Sequence, residues 1–519
     1  MKIFFKFYIF SLIFLLATSC SDLVEEPVGY LSPEGYFSTE ENVQSAINGC
    51  YGSMASSNYY GSGLTTPLQI MSDMVDLGLN FSNYANLNDF SHTSTNTFPL
   101  SIWKCSYGII GIANLALYGV TQIDATDEVK NELEGQAKFI RAFVYYHLVR
   151  LFGEIPYVDN VDVEISSVEK SSVADVYANI ISDLEFAKEN LPTEHPNNDR
   201  MYPSKGSAAT VLASVELTLG NWQEAYDQAK WVIDNAGALN YGLVSDYQDL
   251  FRSDLQNNSK EIIFEMDFKA NVHGDNEVNS FTLENDQTIG AFNSVDGADK
   301  PWRGWSMLVP SLKVYTTWDA KDYRRRVCLT DSIIMRDETG IVRPYTEFNV
   351  TRPHAAVLER FCGERKSSTA GWRSDMNYIA FRYGEVLLIA AEAGNEIGKT
   401  AEAVGYVNQL RARARSGGVV DWGGANYGTY APSTSPADVS TSISEDDFRT
   451  LVLEERRIEL AFQFKRWYDI VRRDLGDQVF GADGLEPEPN FSKTKNYLLP
   501  IPQTEIDMDP LLEPQNIGF

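Results

Sequence analysis

Apolar residues recur every three or four positions through the middle of the chain and again near its C-terminal end. In residues 129–153 they include Leu133, Ala137 and Ile140, which share one face of a helix. Residues 172–192 have the same spacing. Both stretches therefore predict amphipathic helices whose apolar stripes face a core.

Two further stretches predict helical hairpins. Residues 204–235 carry two helical stripes joined at Gly220, and residues 378–413 repeat the pattern with a turn at Gly398. Each hairpin is similar to a tetratricopeptide unit of about 34 residues, although the two are not contiguous. The alternative is a pair of ordinary antiparallel helix hairpins, which have a comparable pattern.

A last helical segment covers residues 445–474. Acidic residues begin it and basic residues end it, which suits the helix dipole. Within it lies a dense run of charged residues, namely Glu454, Glu455, Arg456, Arg457 and Glu459. We interpret this run as ion pairs that brace packed helices and not as a catalytic site.

The intervening segments, residues 56–100, 241–374 and 414–444, hold no long helical stripe and are rich in Asn, Ser, Thr, Tyr and Gly. In the second of them, EIIFEMDF alternates like a strand. Segments of this length usually carry function. We therefore predict a mainly α fold, in which a scaffold of tetratricopeptide-like helical hairpins bears large, irregular, loop-rich insertions that form a ligand face. The scaffold is assigned to residues about 38–55, 101–240 and 375–475, and a C-terminal tail to 476–519.

The first residues resemble an export signal. Two lysines precede an apolar run that is too short for a membrane span of about 20 residues. The run ends in Ala17-Thr18-Ser19-Cys20, which resembles a bacterial lipobox. Residues 1–19 are therefore predicted to be a lipoprotein signal peptide and Cys20 the lipidated residue. The alternative is an ordinary secretory signal with a chance cysteine near its cleavage site.

Composition narrows the class of partner. The formal net charge is −29 with no basic stripe, which argues against nucleic-acid binding. No second hydrophobic span is recognised, so a soluble body is expected after processing. Besides Cys20, the cysteines are widely spaced, at Cys50, Cys105, Cys328 and Cys362. Buried free thiols are expected, one or two disulfides stay possible, and a zinc site is not expected.

Motifs for catalysis are not recognised. None of the five histidines pairs at metal-ligand spacing, and His147 falls in a helical stripe as a core residue. Glycoside hydrolysis needs two carboxylates roughly 5 to 9.5 Å apart, and nothing singles out such a pair among the 72 acidic residues. Residues 273–279 (HGDNEVN) offer oxygen ligands for calcium without the full spacing of a calcium loop. No cofactor is expected, with calcium as the open alternative.

The ligand face is predicted from its aromatic residues. Sugars pack their C–H faces on aromatic rings, and their hydroxyl groups need polar side chains around the rim. Loop aromatics with such neighbours give these candidates: Tyr59, Tyr60, Asp73, Asn80, Phe81, Asn83 and Tyr84; Phe292, Asp299, Trp302, Arg303 and Trp305; Trp372 and Arg373. Tryptophans in helical stripes are assigned to packing instead, namely Trp103, Trp222, Trp231, Trp318 and Trp467.

Several motifs, in order along nearly the whole mature chain, resemble those of one family. They are FSTEENVQSAINGCY (37–51), WKCSYGIIGIANLAL (103–117), AKFIRAFVYYHLVRLFGEIPYV (137–158), FRYGEVLLIAAEAGNE (381–396), EERRIELAFQFKRWYDIVR (454–472) and YLLPIPQTEIDMDPLLEPQNIGF (497–519). On these motifs the chain resembles the SusD/RagB family of outer-membrane lipoproteins. Asp22, Glu25 and Glu26, just after the lipobox, resemble the surface-export tag of Bacteroidota lipoproteins.

The resemblance implies a lipid-anchored, surface-exposed protein of the outer membrane. It implies binding of oligosaccharides, or of peptides in some members, and delivery to a SusC-like TonB-dependent transporter, without catalysis. A glycan-binding receptor is the favoured reading, a peptide receptor with the same fold and partner is the second, and a surface glycoside hydrolase is the third. The family's ligand contacts vary between members, so the resemblance indicates the region of the site and not its residues.

Overall fold

The computed structural model describes residues 33–77, 82–163, 167–252, 254–268, 308–330, 332–334, 342–344, 357–358, 376–420 and 428–519. Within these ranges the architecture is mainly α-helical, which confirms the predicted fold class. Cys20 and the other residues of the predicted leader and lipobox lie outside the described ranges, as do Cys362 and residues 273–279.

Helices supply most of the secondary structure. In chain order they are α1 Pro33–Tyr36, α2 Glu40–Met54, α3 Thr65–Ile70, α4 Ser82–Asn88, α5 Thr97–Gln122, α6 Asp127–Phe152, α7 Val173–Asn190, α8 Lys205–Leu219, α9 Trp222–Asp234, α10 Leu312–Thr317, α11 Tyr323–Cys328, α12 Tyr383–Glu396, α13 Thr400–Arg415, α14 Glu445–Glu459, α15 Arg466–Arg472, α16 Gly476–Phe480, α17 Lys493–Asn496 and α18 Gln503–Met508. Short 3₁₀ or π turns cover Ser57–Gly61, Pro196–Asn198, Tyr247–Phe251, Gln256–Asn258 and Pro510–Leu512.

The strands are short and join in antiparallel pairs. In chain order they are β1 Val75–Leu77, β2 Ile155–Pro156, β3 Lys170–Ser171, β4 Ile262–Met266, β5 Leu308–Pro310, β6 Leu329–Thr330, β7 Ser332–Ile334, β8 Val342–Pro344, β9 Val357–Leu358, β10 Tyr378–Arg382, β11 Gly418–Val420 and β12 Gly428–Tyr430. The pairs are β1–β5, β2–β3, β4–β10, β6–β9, β7–β8 and β11–β12.

Helix α6 is the centre of the scaffold and confirms the helix predicted over 129–153. The hydroxyl of Thr126 caps it by accepting from the Val129 amide at 3.4 Å, and acidic residues occupy its first turn. Gly153 ends it at φ 76°, a left-handed backbone angle that favours glycine. α6 packs between α5 and α7. Its burial on nearly all sides of the last four turns makes it the core of the helical layer.

Helix α5 corrects the expectation that no second apolar span exists. Its 26 residues include a window of mean hydropathy 1.3, which is long and apolar enough to cross a membrane by length and composition alone. The packing of α5 against α2 and α6 accounts for this composition in the fold. A core helix buried between neighbours passes the same test as a membrane span.

The two predicted hairpins form and contact each other although they are far apart in sequence. Ser204 begins α8 with a capping box, and Gly220 adopts a left-handed conformation at φ 75° before α9. The second hairpin is α12–α13, and α9 packs directly on α12. One boundary was wrong: residues 378–382, predicted as the start of a helix, form β10. The backbone there pairs with β4, and the helix begins only at Tyr383.

The predicted helix over 445–474 is also corrected, because it is two helices. α14 ends at Glu459 and α15 begins at Arg466, with Phe462 and Phe464 at positive φ between them. Because the helix stops at Glu459, the carbonyl of this residue is not used by a backbone amide of the helix. That carbonyl accepts from Arg382 Nη2 at 2.6 Å and from the Tyr247 hydroxyl at 2.9 Å, so the helix end joins a tertiary network.

The charged run in α14 braces the fold as predicted. The carboxylate of Glu459, fully buried, pairs with Arg324 and Arg382 at 2.8 Å each, and also with Arg413. Glu261 pairs with Arg382 at 2.7 Å and with Arg413 at 2.8 Å. Burial by itself would raise the pKa of Glu459, but the three guanidinium groups outweigh it and lower that pKa to about 2.

Strand β4 confirms that EIIFEMDF contains a strand. Its side chains do not alternate between buried and exposed, as the sequence pattern had suggested. All five β4 side chains are buried, because β10 pairs with its edge and the scaffold covers both faces. Cys50 is a buried free thiol and Cys105 a half-buried one, which confirms that part of the cysteine prediction, and Cys328 is buried as well. Of the tryptophans assigned to packing, Trp103, Trp318 and Trp467 are buried, while Trp222 and Trp231 pack on the core with part of each ring exposed.

Candidate functional site

The insertion between β4 and β10 is held at its base by antiparallel pairing. Tyr378 lies opposite Met266, so the chain leaves and re-enters the scaffold at the same end of this pair. Because 110 residues or so lie between the two strands, a single short pairing gathers a long stretch of chain at one place on the scaffold. The segments that carry Phe292 and Trp372 connect to the described chain on either side of this base.

A second attachment lies at the pairing of β1 with β5. Leu77 lies opposite Leu308, and Ser311 fixes the far end by donating its amide to the Met74 carbonyl and its hydroxyl to the Asp73 carbonyl, both at 3.0 Å. The segment 78–81 directly follows Leu77, and the segment 269–307 leads directly into Leu308. The candidates around Tyr84 and those around Trp302 are two of the three predicted groups of loop aromatics. The fold therefore attaches both groups to one two-stranded sheet. We call β1, β5 and the adjacent helix α4 the β1–β5 corner.

Two of the predicted aromatic ligands belong to the core. Tyr60 is 1% exposed, and its hydroxyl hydrogen-bonds with His147 Nε2 at 2.6 Å, while His147 Nδ1 hydrogen-bonds with the Tyr468 hydroxyl at 2.7 Å. Tyr59 is fully buried and accepts from Ser106 Oγ at 3.2 Å. The apolar pattern of residues 56–70 was hidden by polar neighbours. We reassign both tyrosines to packing, and His147 is the core residue that was predicted.

Asp73 is likewise corrected. It is fully buried, and both of its carboxylate oxygens accept from Arg466, at 2.8 Å from Nε and 2.8 Å from Nη2. A two-pronged ion pair of this kind leaves no acceptor facing solvent. Asp73 therefore ties α15 to the turn before β1, and it positions the β1–β5 corner without touching a surface ligand.

Tyr84 stays a candidate. It lies half-buried on α4 with its ring edge-on to Phe98, at 4.9 Å between ring centroids. Asn83, beside it, is exposed and donates to Thr97 Oγ1 at 3.3 Å. An aromatic side chain that is half-buried and packs on a second ring can still offer part of its surface for stacking by a flat ligand. The remaining candidates lie outside the described residues, namely Asn80, Phe81, Phe292, Asp299, Trp302, Arg303, Trp305, Trp372 and Arg373.

Sequence reasoning missed Glu488, which reaches the β1–β5 corner from the C-terminal part of the chain. Asn88, four residues after Tyr84 on α4, donates to Glu488 Oε1 at 3.4 Å. Partial burial raises the pKa of Glu488 to about 7, and the nearby carboxylates of Asp76 and Asp89 add to the rise. No local pattern marks this residue, because its neighbours at the corner are about 400 positions away.

The corner therefore offers the edge of one half-buried aromatic ring, with amide and carboxyl groups around it. Such an arrangement binds hydroxyl-rich, uncharged ligands better than anions, because its charged groups are acidic. Within the described ranges, no group of three or more His, Cys, Asp or Glu side chains is arranged to hold a metal ion. Several described acids that are buried elsewhere, Glu459 among them, are paired with arginines inside the scaffold.

Comparisons with known proteins agree with this architecture. A model of the SusD family matches residues 343–519, and a model described as starch-binding associating with outer membrane matches residues 30–217. SusD-like protein P2 of Formosa agariphila is 41% identical over 98% of this chain and 99% of its own.

Solved structures share the fold. A SusD homolog from Bacteroides thetaiotaomicron superposes with a TM-score of 0.77 at 20% identity, over 94% of this chain and 98% of its own. A laminarin-binding SusD-like protein superposes with a TM-score of 0.74 at 23% identity, over 93% of this chain and 100% of its own. Identity at the level of protein P2, over nearly the full length of both chains, establishes the relationship: this chain belongs to the SusD/RagB family.

Proposed function

We propose that this protein is a glycan-binding lipoprotein of the cell surface, which captures oligosaccharide or polysaccharide and delivers it to a SusC-like TonB-dependent transporter. The observation that carries the proposal is family membership over the whole chain, together with a solved relative of the same fold that is described as binding laminarin. The acidic balance of the chain and the aromatic edge at the β1–β5 corner support an uncharged, hydroxyl-rich ligand.

The ligand face of the proposal consists of the insertions attached at the β1–β5 corner and at the β4–β10 base. Tyr84 is its described aromatic residue, and Trp302, Trp305 and Trp372 are further candidates from the sequence. The protein binds without chemistry in this proposal, so no catalytic residue is assigned. No cofactor is required either, although a calcium requirement is a simple alternative to test.

The first test is a binding screen of residues 21–519 against plant, host and microbial polysaccharides, with a peptide mixture alongside. Calorimetry on each hit, with and without a chelator, and an assay for released sugar complete it. Binding of a glycan without release of product is the expected result. Binding of peptides alone would replace glycan by peptide as the ligand, and released product would overturn the non-catalytic role.

The second test asks whether the loop aromatics form the site. Replacing Trp302 and Trp305 together by Ala removes two stacking surfaces, each worth about 1 kcal/mol or more in ring contacts. Binding of the glycan found in the screen should weaken at least tenfold with an unchanged melting temperature. A matched control replaces Met508 and Ile517, two exposed apolar residues of the C-terminal part, by Ala. Equal affinity of both double variants would remove the tryptophan pair from the site.

The third test addresses the membrane and the transporter. Each methylene of an acyl chain buried in a bilayer contributes roughly 0.8 kcal/mol, so a protein with several acyl chains on Cys20 stays membrane-bound. The variant Cys20→Ala should therefore appear in the soluble fraction, and a variant still bound to membranes would contradict the anchor. Co-purification of the wild-type protein with a SusC-like transporter from membranes would support the partner, and its consistent absence would count against delivery.

A further inference from the structure

One asparagine joins three parts of the chain at the base of the β4–β10 insertion. The amide of Asn377 donates to Gln256 Oε1 at 2.8 Å, and its side-chain Oδ1 accepts from the Phe268 amide at 3.0 Å. Its Nδ2 donates to Asp267 Oδ1 at 2.8 Å and lies 3.4 Å from Asn257 Oδ1. Asn377 is buried. Its hydrogen bonds join the two ends of the insertion, before and after it in the chain, to the turn at Gln256–Asn258.

The same place holds acids without matching cations. Glu265, on β4, is 1% exposed, and its Oε2 has no hydrogen-bond partner among the described residues. Asp267 follows the same strand, and Asp199 approaches from the loop before α8. Arg200, beside Asp199, is buried against the Tyr241 ring and forms no ion pair within the part of the chain that the structure describes.

Two tyrosines are further titratable neighbours among the described residues. Tyr202 lies in the same loop as Asp199, and its ring contacts Tyr51 of α2 edge-on, at 5.4 Å between ring centroids. Burial raises the pKa of both tyrosines. Ionised Asp267 therefore faces a like charge on Asp199, and no cation among the described residues forms an ion pair with it.

We propose that Asn377 is a positioning residue that holds the base of the loop insertion against the helical scaffold, and that one proton on Asp267 controls how tightly it holds. With Asp267 protonated, the carboxyl oxygen still accepts from Asn377 and no charge is buried. With Asp267 ionised, that single bond becomes stronger, but the buried charge and the repulsion from Asp199 oppose it. Any effect of this proton on ligand capture rests on the proposed function, whereas the attachment of the insertion base to the scaffold does not.

The direction of the pH effect follows from the pKa of Asp267. Burial raises this pKa from 3.8 to about 7, and Asp199 adds to the rise. An acid with a raised pKa in the folded state stabilises that state fully below its ordinary pKa. This stabilisation is lost as pH rises towards and through the folded value. Burial, followed by the charge of Asp267, raises the pKa of Glu265 well above its ordinary value despite the opposing effects of Asn377 and Arg200, which favours the neutral form of Glu265.

The test is hydrogen–deuterium exchange of the Phe268 amide in residues 21–519 without ligand, between pH 6 and 8.5. Rates are corrected for the intrinsic pH dependence of exchange. Protection of this amide in the wild type should fall about tenfold across the range, if the opening event gives Asp267 its ordinary pKa. In Asp267→Asn the corrected protection should not change with pH. Wild-type protection independent of pH, or an unchanged tenfold fall in Asp267→Asn, would overturn the proton control.

Two further variants isolate the roles of Asn377 and Asp199. Asn377→Ala should reduce Phe268 protection at every pH while the melting temperature of the helical scaffold changes little, and Asn258→Ala, an exposed change in the same turn, should leave it intact. Asp199→Asn removes the repelling charge and should shrink the pH effect. Unchanged protection in Asn377→Ala would overturn the positioning role. A failure to find any glycan ligand would leave these exchange results standing, so the two proposals fail separately.

Discussion

Two clusters of charged groups lie at the two ends of the β4–β10 pair, and the pKa values of their acids shift in opposite directions. In the Glu459 cluster, formed by Glu261, Glu459, Arg324, Arg382 and Arg413, each acid contacts at least two guanidinium groups, and the pKa of Glu459 falls to about 2. At the insertion base, the pKa of Asp267 rises to about 7. Burial raises both values, and only the presence of paired cations reverses the direction.

The comparison separates a fixed region from an adjustable one. Ion pairs of the Glu459 cluster join α11, α13, α14 and β10, so the scaffold resists changes of pH above the acid range. The insertion base, in contrast, is held by the β4–β10 pairing and by the hydrogen bonds of Asn377, to which the proposed proton on Asp267 adds a dependence on pH.

The largest expected effect comes from removing the acid at the centre of the first cluster. Glu459→Gln leaves three buried guanidinium groups short of an anion, and breaking a buried ion pair in this way destabilises by about 3 to 5 kcal/mol. Denaturant unfolding measures the loss. The control is Asp446→Asn on the same helix, whose exposed carboxylate pairs with the partly exposed Arg449 and should contribute about 1 kcal/mol at most. Equal losses in the two variants would contradict a special role for burial.

The second effect is the opposite response of the two clusters to pH. Because the folded pKa of Glu459 is lowered, its contribution to stability is present above pH 4.5 and is lost as pH falls towards 2. A shift of this size corresponds to about 3 kcal/mol between neutral and strongly acidic solution. Unfolding experiments at pH 3 and pH 6 should show a smaller difference for Glu459→Gln than for the wild type. An identical pH dependence would mean that other carboxylates dominate acid unfolding.

A third effect tests how closely the Glu459 cluster is packed. A Cβ added at Gly384 would collide with the guanidinium of Arg382 and meet Glu261 Oε1 at 3.0 Å. Arg382 cannot withdraw, since four hydrogen bonds hold it. Gly384→Ala should therefore destabilise by about 1 to 3 kcal/mol. Gly405→Ala, at a helical glycine with open space around it, should instead stabilise by roughly 0.5 to 1 kcal/mol. Destabilisation by both would refute the packing argument.

Periodicity predicted the scaffold well because its helices are long and bury one continuous face. The bounds of α6, α7 and the first hairpin follow from apolar spacing, caps and the left-handed glycines Gly153 and Gly220. The break between α14 and α15 was missed. It depends on acceptors supplied to Arg382 and Tyr247, which are tertiary contacts that no local pattern records.

The candidate site was harder to predict for a physical reason. Tyr59, Tyr60 and Asp73 lie in a polar stretch, yet the packing of α3 and α15 against them turns all three side chains inwards. Glu488 and Asn377 gain their roles from partners 110 to 400 positions away. Composition identified which segments carry polar and aromatic groups, but only the strand pairings of β1 with β5 and β4 with β10 show where those segments attach.

The smallest expected effect comes from a pair that has the same charges without the burial. Lys230 and Asp234 pair one turn apart on α9, with 33% and 55% of their side chains exposed. Water screens this pair, and ordering the lysine chain offsets most of the attraction, so a double-mutant cycle with Ala should give about 0.3 to 0.5 kcal/mol. A coupling energy above 1 kcal/mol would mean that exposure does not separate weak from strong pairs in this chain. The contrast between the Glu459 cluster and the insertion base would then need a cause other than desolvation.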